Sequence, residues 1–457
     1  MAISLTLLFI ISGLSFWLLR LTGARLGAAA ALIPFALFVW FFLYLPDIGS
    51  GFEVVEDINW VPSLGVSLTF RLDGFSLLFT LLVTGIGTLV VLYANAYFCD
   101  APATRRASFI GLILLFMAAM LGTVWSDHLI GLYVFWELTS LFSYLIIGFD
   151  AAKKDARKAA LQSLIVTAGG GLALFGGILL MGLALDTWSL SQIAMRGPEL
   201  AGSPLAPAIL VLVLIGAFTK SAQFPFHFWL PNAMAAPTPA SAFLHSATMV
   251  KLGVYLLARL DAPFSAMPAF GPTLVFFGAL TLLVAALRAL MQGGFKAILA
   301  QSTVGSLGLL VMLIGLGGTA ASVAVVTFIL AHALYKAALF FCAGTAIHAT
   351  HQPDVLAMRG LGKRLPLTAT ACVLAALAMA GLPPLFAFIA KETIFEAMLD
   401  DRAGALLLVA AVVGNAAFVM IGLTAALRPF LLGSKATSKI YHGESPGLVA
   451  GLSLIHI

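Results

Sequence analysis

Apolar runs of about 20 residues, separated by short polar stretches, recur along almost the whole chain. A helix needs about that length to cross the hydrocarbon core of a bilayer. The runs predict thirteen complete spanning helices, near 2–19, 27–46, 74–98, 108–125, 128–149, 160–184, 206–230, 238–259, 271–291, 296–316, 321–348, 367–398 and 403–427. A fourteenth run starts near Gly447. Proline interrupts the runs at 206–230 and 367–398. The opening Met1–Leu19 has neither the basic n-region nor the cleavage site of a secretory signal, so it reads as the first span. The pattern predicts an all-α, polytopic membrane helix bundle of about 14 spanning helices, with no room for a soluble domain.

Composition excludes the soluble alternatives. Of 457 residues, 61% are hydrophobic and only 9% charged, against about 25% charged in a soluble domain. The net charge of +5 does not mark a nucleic-acid surface, because the basic residues sit in short loops between apolar runs. Assigned by side, the loops after odd-numbered segments hold sixteen Lys and Arg, from Arg20 and Arg25 through Lys153–Lys158 to Lys435 and Lys439. The opposite loops hold four, Arg71, Arg196, Arg259 and Arg402, beside the acidic stretch 53–57. By the positive-inside rule the N-terminus faces the exterior and the 153–158 loop the cytoplasm. Cys99, Cys342 and Cys372 are isolated, without disulfide or metal spacing. The glycines at 169–171 and 176–177 form no phosphate loop, lacking a preceding strand and a following Gly-Lys-Ser/Thr; they read as close helix packing. Trp17, Trp40, Trp60 and Trp125 read as interfacial anchors.

Five charges remain inside apolar segments: Glu137, Lys220, Lys251, Lys336 and Lys391. Each costs about 2.5–3.5 kcal/mol at the centre of a span, so each needs a partner or a function. Lys391, near a segment end, reads equally as a snorkelling side chain. Glu137, Ser140 and Tyr144 share one helix face, as do His332 and Lys336. His332, His348 and His245 are either satisfied packing residues or proton-relay groups. A metal-ligand set is left open by the sequence.

Two spans carry helix breakers: Lys220-Ser-Ala-Gln-Phe-Pro225, followed by Pro231, Pro237 and Pro239, and Gly381-Leu-Pro383-Pro384, followed by Lys391. Broken spans are tolerated where the freed carbonyls line a cavity, and at matching positions of two halves they point to a transport site. The order is lysine-then-proline in one and proline-then-lysine in the other. That reversal suits two five-helix units of inverted topology, segments 4–8 and 9–13; two unrelated kinks are the plainer reading. The chain then divides into 1–107 (N-terminal helices), 108–427 (a transmembrane module with repeats at 108–260 and 271–427) and 428–457.

The stretches Trp136-Glu-Leu-Thr-Ser-Leu-Phe-Ser-Tyr-Leu-Ile-Ile-Gly148 and Thr219-Lys-Ser-Ala-Gln-Phe-Pro-Phe-His-Phe-Trp-Leu-Pro231 resemble the proton-antiporter module. Complex I, membrane-bound hydrogenases and Mrp-type multi-subunit sodium/proton antiporters share that module. Phe70-Arg-Leu-Asp-Gly-Phe-Ser76 matches the leading region of the same family. Glu-Leu-Thr-Ser after Trp136, and the lysine in Ala247-Thr-Met-Val-Lys251, look more like the A-type chain of the Mrp antiporters than like the complex I relatives. The resemblance implies a Glu137–Lys220 pair whose separation changes as protons move, a hydrophilic axis through Lys251, His332 and Lys336, and an exit near Lys391.

The function so implied is exchange of protons for sodium or another monovalent cation, by one subunit of a hetero-oligomer in a bacterial inner membrane. The alternative is a proton-pumping subunit of a complex I-like oxidoreductase or hydrogenase. The chain has no ligand set for flavin, iron–sulfur or nickel, so no cofactor is expected and redox chemistry would belong to partners. The ending Leu452-Ser-Leu-Ile-His-Ile457 resembles a translated sequencing adaptor, and the A-type relatives run well beyond this length, so a truncated reading frame is expected.

Overall fold

The computed structural model describes residues 1–22, 27–61, 63, 66–400, 405–433 and 440–456. Arg25, Arg402, Lys435 and Lys439 of the loop-charge pattern, and Ile457 of the terminal hexapeptide, lie outside the described residues.

The chain forms the expected membrane helix bundle. Among the described residues, ten helices are long and apolar enough to cross a membrane, and three shorter apolar helices, Ala29–Phe42, Ala206–Lys220 and Pro366–Ala380, stand where the remaining spans were expected. Near Gly447 only a short turn of helix, Pro446–Ala450, continued by a 3-10 stretch, is present. The chain divides into two compact units. The first holds Met1–Val91, Ala101–Ser221 and Thr248–Phe270; the second holds Leu92–Asp100, Ala222–Ala247 and Gly271–Ile457.

In the first unit the helix Lys154–Leu185 packs on Leu129–Ile147 and Ala206–Lys220, and Ala2–Leu21 packs on Ala103–Trp125. The 154–185 helix is amphipathic in the inverted sense that lipid favours. Leu161, Ile165, Leu172 and Leu183 are exposed, while Ser163, Thr167, Gly170 and Gly171 are buried. Small residues let neighbouring backbones approach where no hydrophobic force draws helices together. Trp125, expected at an interface, is instead buried: its ring packs on Phe41 and its indole N–H donates to Thr80 Oγ1 at 2.8 Å. Trp17, Trp40 and Trp60 are exposed.

An antiparallel pair of strands, Val54–Val61 and Val66–Leu72, precedes the third span and was not expected. The second strand runs into Asp73, which caps the helix Gly74–Tyr97. Ser76 N–H donates to Asp73 Oδ1 (2.9 Å), and Asp73 N–H donates to Ser76 Oγ (2.8 Å). That reciprocal cap gives the Arg-Leu-Asp-Gly-Phe-Ser stretch a structural reason. Arg259 clamps Asp73 from another helix; its Nη2 donates to Oδ1 at 2.7 Å, its Nη1 to Oδ2, and its Nε to Tyr255 Oη at 2.9 Å. Burial opposes ionisation of Asp73, but the Arg259 guanidinium and the cap outweigh it and hold the carboxyl at about 2.

In the second unit the helix Gly318–Thr350 is central and packs against Thr238–Ser246, Phe295–Leu316, Pro366–Ala380 and Phe386–Asp400. Among the described residues, three spans are broken. The 206–230 run is helical only to Lys220, then passes through Ala222 at φ +50 and short turns up to Ala235. The 367–398 run splits into Pro366–Ala380 and Phe386–Asp400 around Pro383 and Pro384. The third break was not expected. The 238–259 run, predicted as continuous, is interrupted between Thr238–Ser246 and Leu252–Arg259, with Thr248 at φ −125, ψ −111 outside the helical region. No proline marks it. The chain passes between the two units at this break and again after Ser221.

Candidate functional site

The helix Leu129–Ile147 presents Trp136, Glu137 and Ser140, and Ala206–Lys220 ends on Lys220. Lys220 is fully buried. Its Nζ donates to the Trp136 carbonyl (3.1 Å) and to Ser140 Oγ (2.7 Å), and stands 5.0 Å from the Trp136 ring centroid. Glu137 forms no ion pair with it: among the described residues its Oε1 is buried without a hydrogen-bond partner, although the two charges interact through space. The Glu137 carboxylate lies in the space left by the absent side chain of Gly171, and Thr219 occupies the space over Gly170. The glycine run read as packing thus also makes room for the acid and for the residue before the lysine. Gly169, exposed, has nothing near it. Lys251 is fully buried in the 3-10 turn Met249–Lys251 of the same unit.

The second unit holds the other relay candidates. Lys336 is fully buried and donates to Ser302 Oγ at 2.6 Å; its Nζ is 4.0 Å from the Met379 sulfur. One turn earlier, the His332 ring packs between Phe328 and Tyr335, at 6.1 and 5.5 Å. Lys391 reaches back across the helix break to the Met379 carbonyl (2.8 Å) and the Ala380 carbonyl (3.0 Å), the last two of their helix. Those carbonyls have no partner within the helix. Gly381 makes this possible twice over. Its φ of +78 is in the left-handed region, and a side chain there would overlap the Lys391 stem. His245 is fully buried 6.2 Å from the Phe340 ring, and neither ring nitrogen has a hydrogen-bond partner among the described residues. His348 lies apart. It is twelve residues beyond Lys336, roughly 18 Å along the helix, and packs against His442.

Two residues bonded at these clusters escaped the sequence. Lys296, read as a topology charge, donates to the carbonyls of Met234 (2.8 Å) and Ala236 (2.6 Å) in the proline-rich turn. The clustered prolines at 231, 237 and 239 announce freed carbonyls, but not which lysine serves them. Ser302, the acceptor for Lys336, gave no signal beyond being a hydroxyl in an apolar run.

Residues 126–418 match the family described as NADH:quinone oxidoreductase/Mrp antiporter, transmembrane. The chain belongs to this family. Residues 58–106 match the N-terminal region described for chain 5 of NADH–ubiquinone oxidoreductase, complex I. Within the family, a Staphylococcus haemolyticus protein named as the A1 subunit of a Na(+)/H(+) antiporter is 43% identical over 389 residues, covering 82% of this chain and 48% of that protein. A Staphylococcus aureus protein of the same name is 39% identical over 433 residues, covering 92% and 54%. A solved Mrp complex from a Dietzia species superposes with a TM-score of 0.85 at 33% identity, covering all of this chain and 55% of that one. The chain spans about half the length of these family members.

Proposed function

We propose that this chain is the proton-antiporter part of an Mrp exchanger of the A type, moving protons against sodium or another monovalent cation. It works within a hetero-oligomer in a bacterial plasma membrane, N-terminus outside. The observation that carries the reading is the bonding of the buried lysines. Lys220, Lys336 and Lys391 all sit in apolar surroundings, and all are held by carbonyl, hydroxyl or thioether groups rather than by carboxylates. A scaffold lysine at such depth pairs with an acid, because an uncompensated charge is costly there. A lysine solvated by neutral groups can exchange its proton without breaking an ion pair.

In this reading Glu137 and Lys220 couple protonation to the cation in the first unit. Lys220 rests on Trp136 and Ser140, poised one residue along the helix from an acid whose Oε1 has no hydrogen-bond partner among the described residues. A proton gained by Glu137 removes the attraction that biases Lys220 towards it, and Lys220 then passes its own proton on. Lys251, His245, His332, Lys336 and Lys391 are the relay.

The test is Glu137→Gln and Lys220→Ala, each in the complete multi-subunit complex, scoring assembly and sodium-dependent proton flux separately. Loss of flux with assembly retained is expected for both. A double apolar replacement that assembles and exchanges at the normal rate makes the pair scaffolding and refutes the assignment.

A further inference from the structure

Beyond the relay, three segments of the second unit that are remote in sequence converge on one point. Asp100 follows the helix Gly74–Tyr97, His348 sits in the last turn of Gly318–Thr350, and His442 lies in the segment leading to Pro446. One ligand-capable atom from each, a carboxylate oxygen and two imidazole nitrogens, lies within 4.8 Å of the others. The 33-residue helix is about 50 Å long, more than the roughly 30 Å hydrocarbon core. Its His348 end is followed by the polar residues His351, Gln352 and Asp354.

The positions are fixed by the fold. The His348 ring packs 5.3 Å from Tyr97 and 4.6 Å from His442. Tyr441 N–H donates to the Ala349 carbonyl (2.8 Å), which sets His442 beside His348, and Glu444 accepts from Thr368 N–H (2.6 Å) on the next helix. His348 Nδ1 is buried and has no hydrogen-bond partner among the described residues. A buried imidazole nitrogen without a partner is costly to leave so, and a ligand of the right chemistry would satisfy it.

The geometry points to a binding site for a zinc-class divalent cation, held by Asp100, His348 and His442. Two imidazoles and one carboxylate suit a borderline-soft ion, whereas sodium, calcium and magnesium prefer all-oxygen shells. Donors around tetrahedral zinc stand roughly 3.3 Å apart, given zinc–nitrogen bonds of about 2.0–2.1 Å. Small rotations of these side chains close the set, and three protein ligands leave a fourth position to water. The bound ion joins the ends of three segments, one of which is the helix that carries His332 and Lys336. The site does not depend on the transport reading, and binding is measured without transport.

The test is equilibrium binding of Zn2+ to the purified, untagged full chain in detergent, with thermal unfolding followed in parallel. One ion per chain is expected, with affinity at least tenfold weaker in each of Asp100→Asn, His348→Ala and His442→Ala. It should be unchanged within about twofold in His351→Ala and Cys99→Ser, whose side chains are outside the set. Zn2+ should raise the unfolding temperature of the parent chain and of the two control variants, and raise it less in the three ligand variants, since a ligand bound to the folded state alone stabilises it in proportion to its affinity. Asp100→Asn keeps the shape of the side chain, so its unfolding temperature without metal separates lost ligation from lost folding. Binding that survives in all three ligand variants, or that is lost equally in His351→Ala, overturns the proposal.

Discussion

Replacing Gly171 by alanine sets local helix stability against the placement of one carboxylate. In a helix interior, Gly→Ala stabilises by about 1 kcal/mol. At Gly171, however, the added methyl would stand 2.8 Å from Glu137 Cδ and 3.4 Å from Oε2, with Oε1 closer still. Carbon atoms rest about 3.5–4.0 Å apart, so the carboxyl group must retreat by about 1 Å. A misplacement of that size at a reacting group can cost about a hundredfold in rate, equivalent to about 2.7 kcal/mol of barrier. Gly171→Ala should therefore leave assembly and thermal stability intact while lowering sodium-driven proton flux by one to two orders of magnitude. Everted vesicles bearing the complete complex, with a pH-sensitive dye, read the flux. Gly169→Ala is the control, because nothing stands within 4 Å of a methyl there. Normal flux in Gly171→Ala, or an equal loss in Gly169→Ala, refutes the argument that this glycine seats the acid.

Arg259→Ala should destabilise the first unit by about 2–3 kcal/mol in detergent unfolding, because half-buried Asp73 loses its counter-ion and each unit of its depression is worth about 1.4 kcal/mol. Asp73 is depressed to about 2, so its contribution is complete above the unfolded value of about 3.9 and is lost as pH falls towards 2. The gap between parent and variant should hold from pH 8 to 5 and close only below about pH 4; a gap that closes near neutrality contradicts the pairing. Gly381→Ala should cost about 1–2 kcal/mol for the left-handed backbone alone, plus displacement of the Lys391 stem, seen as a lower unfolding temperature; an unchanged temperature shows that the break tolerates a side chain. With the exposed Cys99 first replaced, Lys154→Cys should resist an impermeant thiol reagent applied to intact cells, while Asp57→Cys reacts; the reverse pattern inverts the orientation.

The spans were legible because lipid demands one simple thing of a helix, a long apolar run, and the chain writes it thirteen times. The break at Pro383-Pro384 was equally plain, since proline cannot continue the hydrogen-bond ladder. The break at 247–251 was not, because Ala-Thr-Met-Val-Lys contains no proline or glycine to announce it. The strands at 54–61 and 66–72 were hidden behind the acidic residues that made the stretch read as a loop. At the site, helical spacing put Glu137 with Ser140 and His332 with Lys336 on common faces. Spacing cannot say which neighbour a face meets. Ser302 facing Lys336, Gly171 under Glu137 and Lys296 under the proline-rich turn all belong to that second kind of information. His348 shows the same limit along a single helix, where a shared segment put it in line with Lys336 but far beyond reach.

The contacts of the buried lysines set a valence condition on proton loss. Lys220, Lys336 and Lys391 each engage two acceptors. An ammonium carries three N–H bonds and a neutral amine two. Each of these side chains can therefore give up one proton and still serve both acceptors, with the nitrogen lone pair left to receive the next. At Lys391 this keeps the end of the helix Pro366–Ala380 capped in either charge state, so the break need not unwind when the charge departs.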